Sequence, residues 1–85
     1  SEVVDTSEMA FQSKAEIKMQ LEAVASSGFA GSGIAGIRNG LEAMKSSDEK
    51  LATSLLADMD KLEAAENSGN QSQVKSIAAS MAKKL

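Results

Sequence analysis

The stretch Ser26 to Gly40 reads SSGFAGSGIAGIRNG and holds five of the six glycines, at Gly28, Gly31, Gly33, Gly36 and Gly40. The choice between an α/β and an all-α chain turns on it, because it contains the string Gly31-x-Gly33-x-x-Gly36. After a β-strand, that spacing would open a helix onto a pyrophosphate. The residues before it, Gln20 to Ser26, carry a helical pattern instead, and 85 residues leave no room for a second βαβ unit. The stretch therefore reads as a turn between two helices that binds no dinucleotide. Gly28 is placed as the glycine that ends the first helix, since glycine enters the left-handed conformation without steric cost. Phe29 is expected to fold back onto the core, and Ser32 to cap the next helix. An anion at the start of that helix would find one nearby base, Arg38, more than a turn inside it.

Upstream, Asp5-Thr6-Ser7-Glu8 supplies a helix start, and a helix is expected to run from there to about Ser26. Ala10, Ile17, Leu21 and Val24 form its main apolar stripe. Phe11, Ala15 and Met19 form a second stripe round the cylinder, and a helix with two apolar stripes needs two partners. Downstream of the turn, Ile34, Ile37, Leu41 and Met44 share one side, flanked by Gly33, Gly36 and Gly40. Each interior glycine costs a helix about 0.5–1 kcal/mol against alanine, so this flank implies a backbone packed closely against something.

Ser46-Ser47-Asp48-Glu49 reads as a third start, with Ser46 and Glu49 at capping-box spacing. The third helix is expected to reach about Asn67, with Leu51, Leu55, Met59 and Leu62 on its core face, widened by Ala52 and Leu56. Ser68-Gly69-Asn70 is a stop and turn, and Asn70 and Gln73 repeat the capping spacing. The fourth helix carries Val74, Ile77, Ala78, Met81 and Leu85, with Lys83 and Lys84 at its negative end. The two halves match at an offset of 41 residues before the turn and 40 after it: Leu21, Gly28, Ile34 and Ile37 against Leu62, Gly69, Val74 and Ile77. That matching reads as one helical hairpin used twice.

The fold class is therefore all-α: a single domain over residues 1–85, an antiparallel up-down four-helix bundle made of hairpins 5–45 and 46–85. The alternative is three helices with one long central helix over about residues 33–66, because the stripes of the second and third helices stay in phase. That reading puts Asp48 and Asp58 on or beside an apolar seam. The expected core is Ile17, Leu21, Val24, Ile34, Ile37, Leu41, Leu51, Leu55, Met59, Leu62, Val74, Ile77 and Met81.

Composition narrows function by exclusion. The chain has no cysteine, histidine, proline, tryptophan or tyrosine. It thus lacks imidazole general bases, thiolate nucleophiles and the usual zinc and haem ligands. Acids such as Asp58 and Asp60 lie two apart on a helix and cannot share a face, and the acids read as solvated helix surface. No enzyme activity, metal or cofactor is expected. With a net charge of −3 and no basic excess in either half, nucleic acid is not an expected partner. No apolar run approaches a bilayer span. The compartment stays open, and the chain begins at Ser1 without an initiating methionine, as a processed exported form would.

What remains is a non-catalytic interaction or structural module that binds itself or a partner protein through Phe11, Ala15, Met19, Gly33, Gly36 and Gly40. The alternative is a small acidic carrier or an apolar-ligand-binding bundle. Carrier proteins of this size attach a prosthetic arm to serine in Asp-Ser-Leu at a helix start. Here Thr53-Ser54-Leu55 substitutes threonine and falls mid-helix.

Overall fold

A computed structural model describes residues 13–31 and 33–85. Four helices follow in chain order: α1 Lys14–Ser27, α2 Gly33–Met44, α3 Glu49–Asn67 and α4 Gln71–Lys84. Each packs on its neighbours in sequence, and α1 closes the ring against α4 in the most extensive of the four contacts. Inter-helix pairs fix the directions. Arg38 of α2 meets Glu63 near the end of α3, and Lys84 at the end of α4 meets Ser54 and Asp58 in the first half of α3. Gly28, closing α1, lies against Gln71 and Lys75, which open α4. The result is an antiparallel up-down bundle, as the periodicity implied.

The helix ends show which local signals the chain uses. α1 begins at a complete capping box. The Glu16 amide donates to Ser13 Oγ at 3.2 Å, and the Ser13 amide donates to Glu16 Oε1 at 3.3 Å. Ser13 itself is extended, at φ −128° and ψ 158°. A helix running unbroken from Glu8 is therefore excluded at Ser13. The expected start at Asp5 to Glu8 lies outside the described residues, as do Ala10 and Phe11. So does Ser32, the expected cap of α2.

The break between α2 and α3 gives four helices among the described residues. Ser46 Oγ donates to the Ala43 carbonyl at 3.0 Å, and Ser47 Oγ donates to the Met44 carbonyl at 3.2 Å. Both serines thus serve the last turn of α2. The cap of α3 is Asp48, not Ser46, since Asp48 adjoins the first helical residue and accepts from the Leu51 amide at 3.3 Å. A carboxylate suits that end of the helix dipole. The break moves Asp48 off the seam, where one long helix would have buried it unpaired.

The other two turns both stop a helix on a left-handed glycine, with different hydrogen bonds. Gly28 adopts φ 76° and donates to the Val24 carbonyl at 2.7 Å, a left-handed stop. Gly69 adopts φ 75°, and the amides of Gly69 and Asn70 donate to the carbonyls of Glu66 and Ala65. That crossed pair is a Schellman stop. Asn70 then caps α4 by accepting from the Gln73 amide at 3.1 Å.

The core runs through all four helices: Ile17, Leu21 and Val24; Ile37, Leu41 and Met44; Leu55, Met59 and Leu62; Val74 and Met81. Burying each large aliphatic side chain contributes about 1.5–3 kcal/mol. Ile34, Leu51 and Ile77 are only partly buried, while Ala52, Ala65, Ala78 and Ala82 are inside. Ala78 and Ala82 lie on α4, the helix that packs against both α1 and α3. Phe29 departs from expectation: it is 66% exposed and lies outside the core. Among the described residues there is no strand, and no helix is long and apolar enough to cross a membrane.

The two glycine stops differ in what surrounds them, which gives a paired prediction. A Cβ at Gly28 would lie 3.1 Å from Lys75 Cε and 3.3 Å from Gln71 Cβ, whereas one at Gly69 would meet nothing within 4 Å. Gly69→Ala should therefore lose only the left-handed penalty, about 1–2 kcal/mol. Gly28→Ala should lose that and more, with urea midpoints falling in that order. Equal losses would contradict the close approach of α4 to the first turn.

Candidate functional site

The glycine-rich turn between α1 and α2 is fastened at every residue from Phe29 to Gly31. Ser27 Oγ accepts from the Phe29 amide at 3.2 Å and donates to the Phe29 carbonyl at 3.0 Å. The next two amides, of Ala30 and Gly31, each donate to one oxygen of the Glu66 carboxylate, both at 2.9 Å. Gly31 has φ 53°, and this left-handed residue turns two successive N–H groups toward one anion. The loop does cradle an anion, but the anion is the chain's own α3 carboxylate, 35 residues away. The string Gly31-x-Gly33-x-x-Gly36 thus has its first donors spent inside the fold.

Gly31 is also required by what lies above it. A Cβ there would come within 2.9 Å of Phe29 Cε2, so the phenyl ring lies over the bare Gly31 backbone. Phe29 is held outward by this bracketing rather than folded onto the core. Beside it, Gly28, Gly69, Asn70, Gln71 and Val74 line an open hollow of about 340 Å³ between the two hairpin turns.

A second set of polar ties runs along α3. Arg38 donates through Nε and Nη2 to the two oxygens of Glu63, at 3.2 and 2.9 Å, and through Nη2 to Asp60 at 2.9 Å. The hydrogen bonds to Asp60, then those to Glu63, raise the Arg38 pKa above its ordinary value, against the opposing effect of desolvation. On the α4 side, Lys84 Nζ donates to Asp58 at 2.7 Å and to Ser54 Oγ at 2.9 Å. Asp58 and Asp60 thus serve opposite flanks of α3, as residues two apart on a helix must. The acids are not simply a solvated face: Glu63 and Glu66 are part-buried, and the Asp58 side chain is only 19% exposed. Ser54, the serine of the carrier-like string, sits in the second turn of α3 under Lys84.

Of the six residues singled out from the sequence, the five that are described do not form one exposed surface. Phe11 lies outside the described residues. Ala15 and Met19 are exposed on the outer side of α1, Met19 at 59%. Gly33 opens α2, half-buried, with open space where a Cβ would stand. Gly36 and Gly40 are buried in the chain's own packing. Sequence reasoning missed Glu66 and the outward Phe29. Glu66 had one signal: it follows Leu62 by one turn, at the end of α3 that borders the glycine turn.

Among the described residues no group of three or more histidine, cysteine or carboxylate side chains could hold a metal ion. No known protein family, curated protein or solved structure gives a significant match to this chain.

The carboxylate bridge yields a graded test. Glu66→Ala leaves two part-buried amides without acceptors, each unmade bond to a charged group costing about 1.5–3 kcal/mol before water and relaxation recover part of it. Glu66→Gln retains one carbonyl acceptor but presents an NH₂ group to the other amide. Thermal unfolding should rank wild type above Glu66→Gln and Glu66→Gln above Glu66→Ala. A Glu66→Ala variant as stable as wild type would show that the bridge holds nothing.

Proposed function

We infer that this protein is a non-catalytic interaction module and that the turn between α1 and α2 is its contact element, with Phe29 as the anchor. The observation that carries this reading is a large aromatic side chain, 66% exposed, on a loop whose backbone is fixed by hydrogen bonds on both sides of it. Exposing a phenyl ring costs the free protein apolar hydration that core burial would have removed. Aromatic residues on rigid elements are efficient anchors, since little conformational freedom is lost when they bind.

The polar groups support the same reading. Six charged side chains, Arg38, Asp58, Asp60, Glu63, Glu66 and Lys84, are occupied in tying α3 to its neighbouring helices and to the first turn. Met19, the other large exposed apolar side chain among the described residues, lies on the outer side of α1 and is the kind of adaptable side chain that contact surfaces use.

A photoreactive phenylalanine analogue at position 29 tests this in cells of the native host. It should give a discrete protein adduct on irradiation, while the same probe at exposed Lys50, at the far end of the bundle, should not. Solvent-quenched product alone at both positions would contradict an anchor role for Phe29.

A further inference from the structure

We propose that the occupant of the hollow beside Phe29 is a second copy of this chain, with two molecules meeting end to end and each Phe29 entering the other's hollow. The proposal rests on the reading of Phe29 as an anchor and specifies its partner.

Three observations on the same end of the bundle carry it. The first is shape. A two-fold contact must be self-complementary, so the projecting group and the recess that receives it have to lie on one face. Phe29 is itself a wall of the hollow that Gly28, Gly69 and Val74 line, with room for a phenyl ring. Knob and recess are therefore adjacent, and rotation about an axis between two facing turns places each ring over the other molecule's recess.

The second observation is charge. A two-fold contact brings each residue close to its own copy, so any charge near the axis meets a like charge. This chain has 21 charged residues in 85, yet none falls between Ala23 and Ile37 or between Asn67 and Val74. Those two segments are the ones that form this end. The one charged group lining the hollow is Glu66, and both of its oxygens already accept loop amides. The net charge of −3 opposes contact between other faces more than between these. At the edge of the hollow Lys75 lies beside Gly28, a single exposed charge rather than the ring of charges that a partner of opposite sign would be met by.

The third is preorganisation. The Ser27 and Glu66 bonds hold the Phe29 backbone before contact, so the two copies lose little further freedom on docking. Size sets the strength. The bundle measures 26 × 18 Å across its shorter axes, so an end-on contact buries about 800 Å² in total, under the ~1,200 Å² typical of stable interfaces. The association is weak, with Kd on the order of 0.1–1 mM.

The test tracks amide NMR spectra of the purified full chain from tens of micromolar to millimolar concentration. Signals of Phe29, Gly69, Asn70 and Gln71 should shift with concentration while those of the Asp48 end stay fixed, and sedimentation should report a dimer. Phe29→Ser should abolish the shifts with an unchanged melting temperature, because the ring is outside the core. Gln71→Glu offers a second variant. It places a carboxylate at the first residue of α4, where the helix dipole favours it, but adds like charges across the two-fold contact. Its shifts should shrink at low salt and recover as salt screens the pair. A strict monomer at millimolar concentration, or a dimer unaffected by both variants, would overturn the proposal. If the purified protein is monomeric while the probe at position 29 still captures a different protein in cells, the second-copy proposal falls and the anchor reading survives. If neither occurs, both fall.

Discussion

The bridge from Glu66 to the amides of Ala30 and Gly31 is the interaction on which this end of the molecule depends. Core burial alone would hold four amphipathic helices together. It would not determine where a turn of small residues sits, because glycine, alanine and serine have little to bury. The carboxylate supplies that position. Its two oxygens bind two consecutive amides and so fix both the place and the orientation of the loop against α3. With Gly28 stopping α1 and Glu66 holding Ala30 and Gly31, the residue between them is aimed outward. Phe29 is exposed as a consequence of the bridge and of the bare Gly31 backbone beneath its ring.

Polar ties on α3 share one pattern. Glu63 and Asp60 hold α2 through Arg38, Asp58 holds α4 through Lys84, and Glu66 holds the first turn. The longest helix thus serves as the strut to which its neighbours are pinned. The part-exposed ion pairs among these ties, those of Arg38 and Lys84, add little to total stability. Their value is in selecting one arrangement of helices whose apolar stripes would tolerate several.

Much of the fold was legible because it depends on local chemistry. The stripes of α3 and α4, the stops at Gly28 and Gly69 and the cap at Asn70 are each encoded within a few residues. What escaped was non-local or was a choice between nearby alternatives. Ser46, Ser47 and Asp48 all suit a helix start, and the choice of Asp48 turned on the serines closing α2. Phe29 comes just after a helix stop, where an apolar residue often folds inward. Its outward course depends on Gly31 and on Glu66, a whole hairpin further along the chain. Gly36 and Gly40 are buried within the chain, so that part of the glycine flank is not an exposed contact surface. The interruption at Ser13 was present in the sequence as Ser-x-x-Glu, but was hidden by an apolar pattern that continues through it.

Amide hydrogen exchange at Ala30 and Gly31 is the sharpest probe of the Glu66 bridge. Both lie in a glycine-rich turn outside any helix, where amides ordinarily exchange at nearly the rate of an unfolded peptide. If the Glu66 carboxylate holds them, their exchange should be slowed by roughly 10- to 100-fold, the equivalent of about 1.5–3 kcal/mol for bonds to a charged acceptor. Exchange of both amides at the unfolded-peptide rate would contradict a fixed turn and, with it, the reason given for the outward course of Phe29.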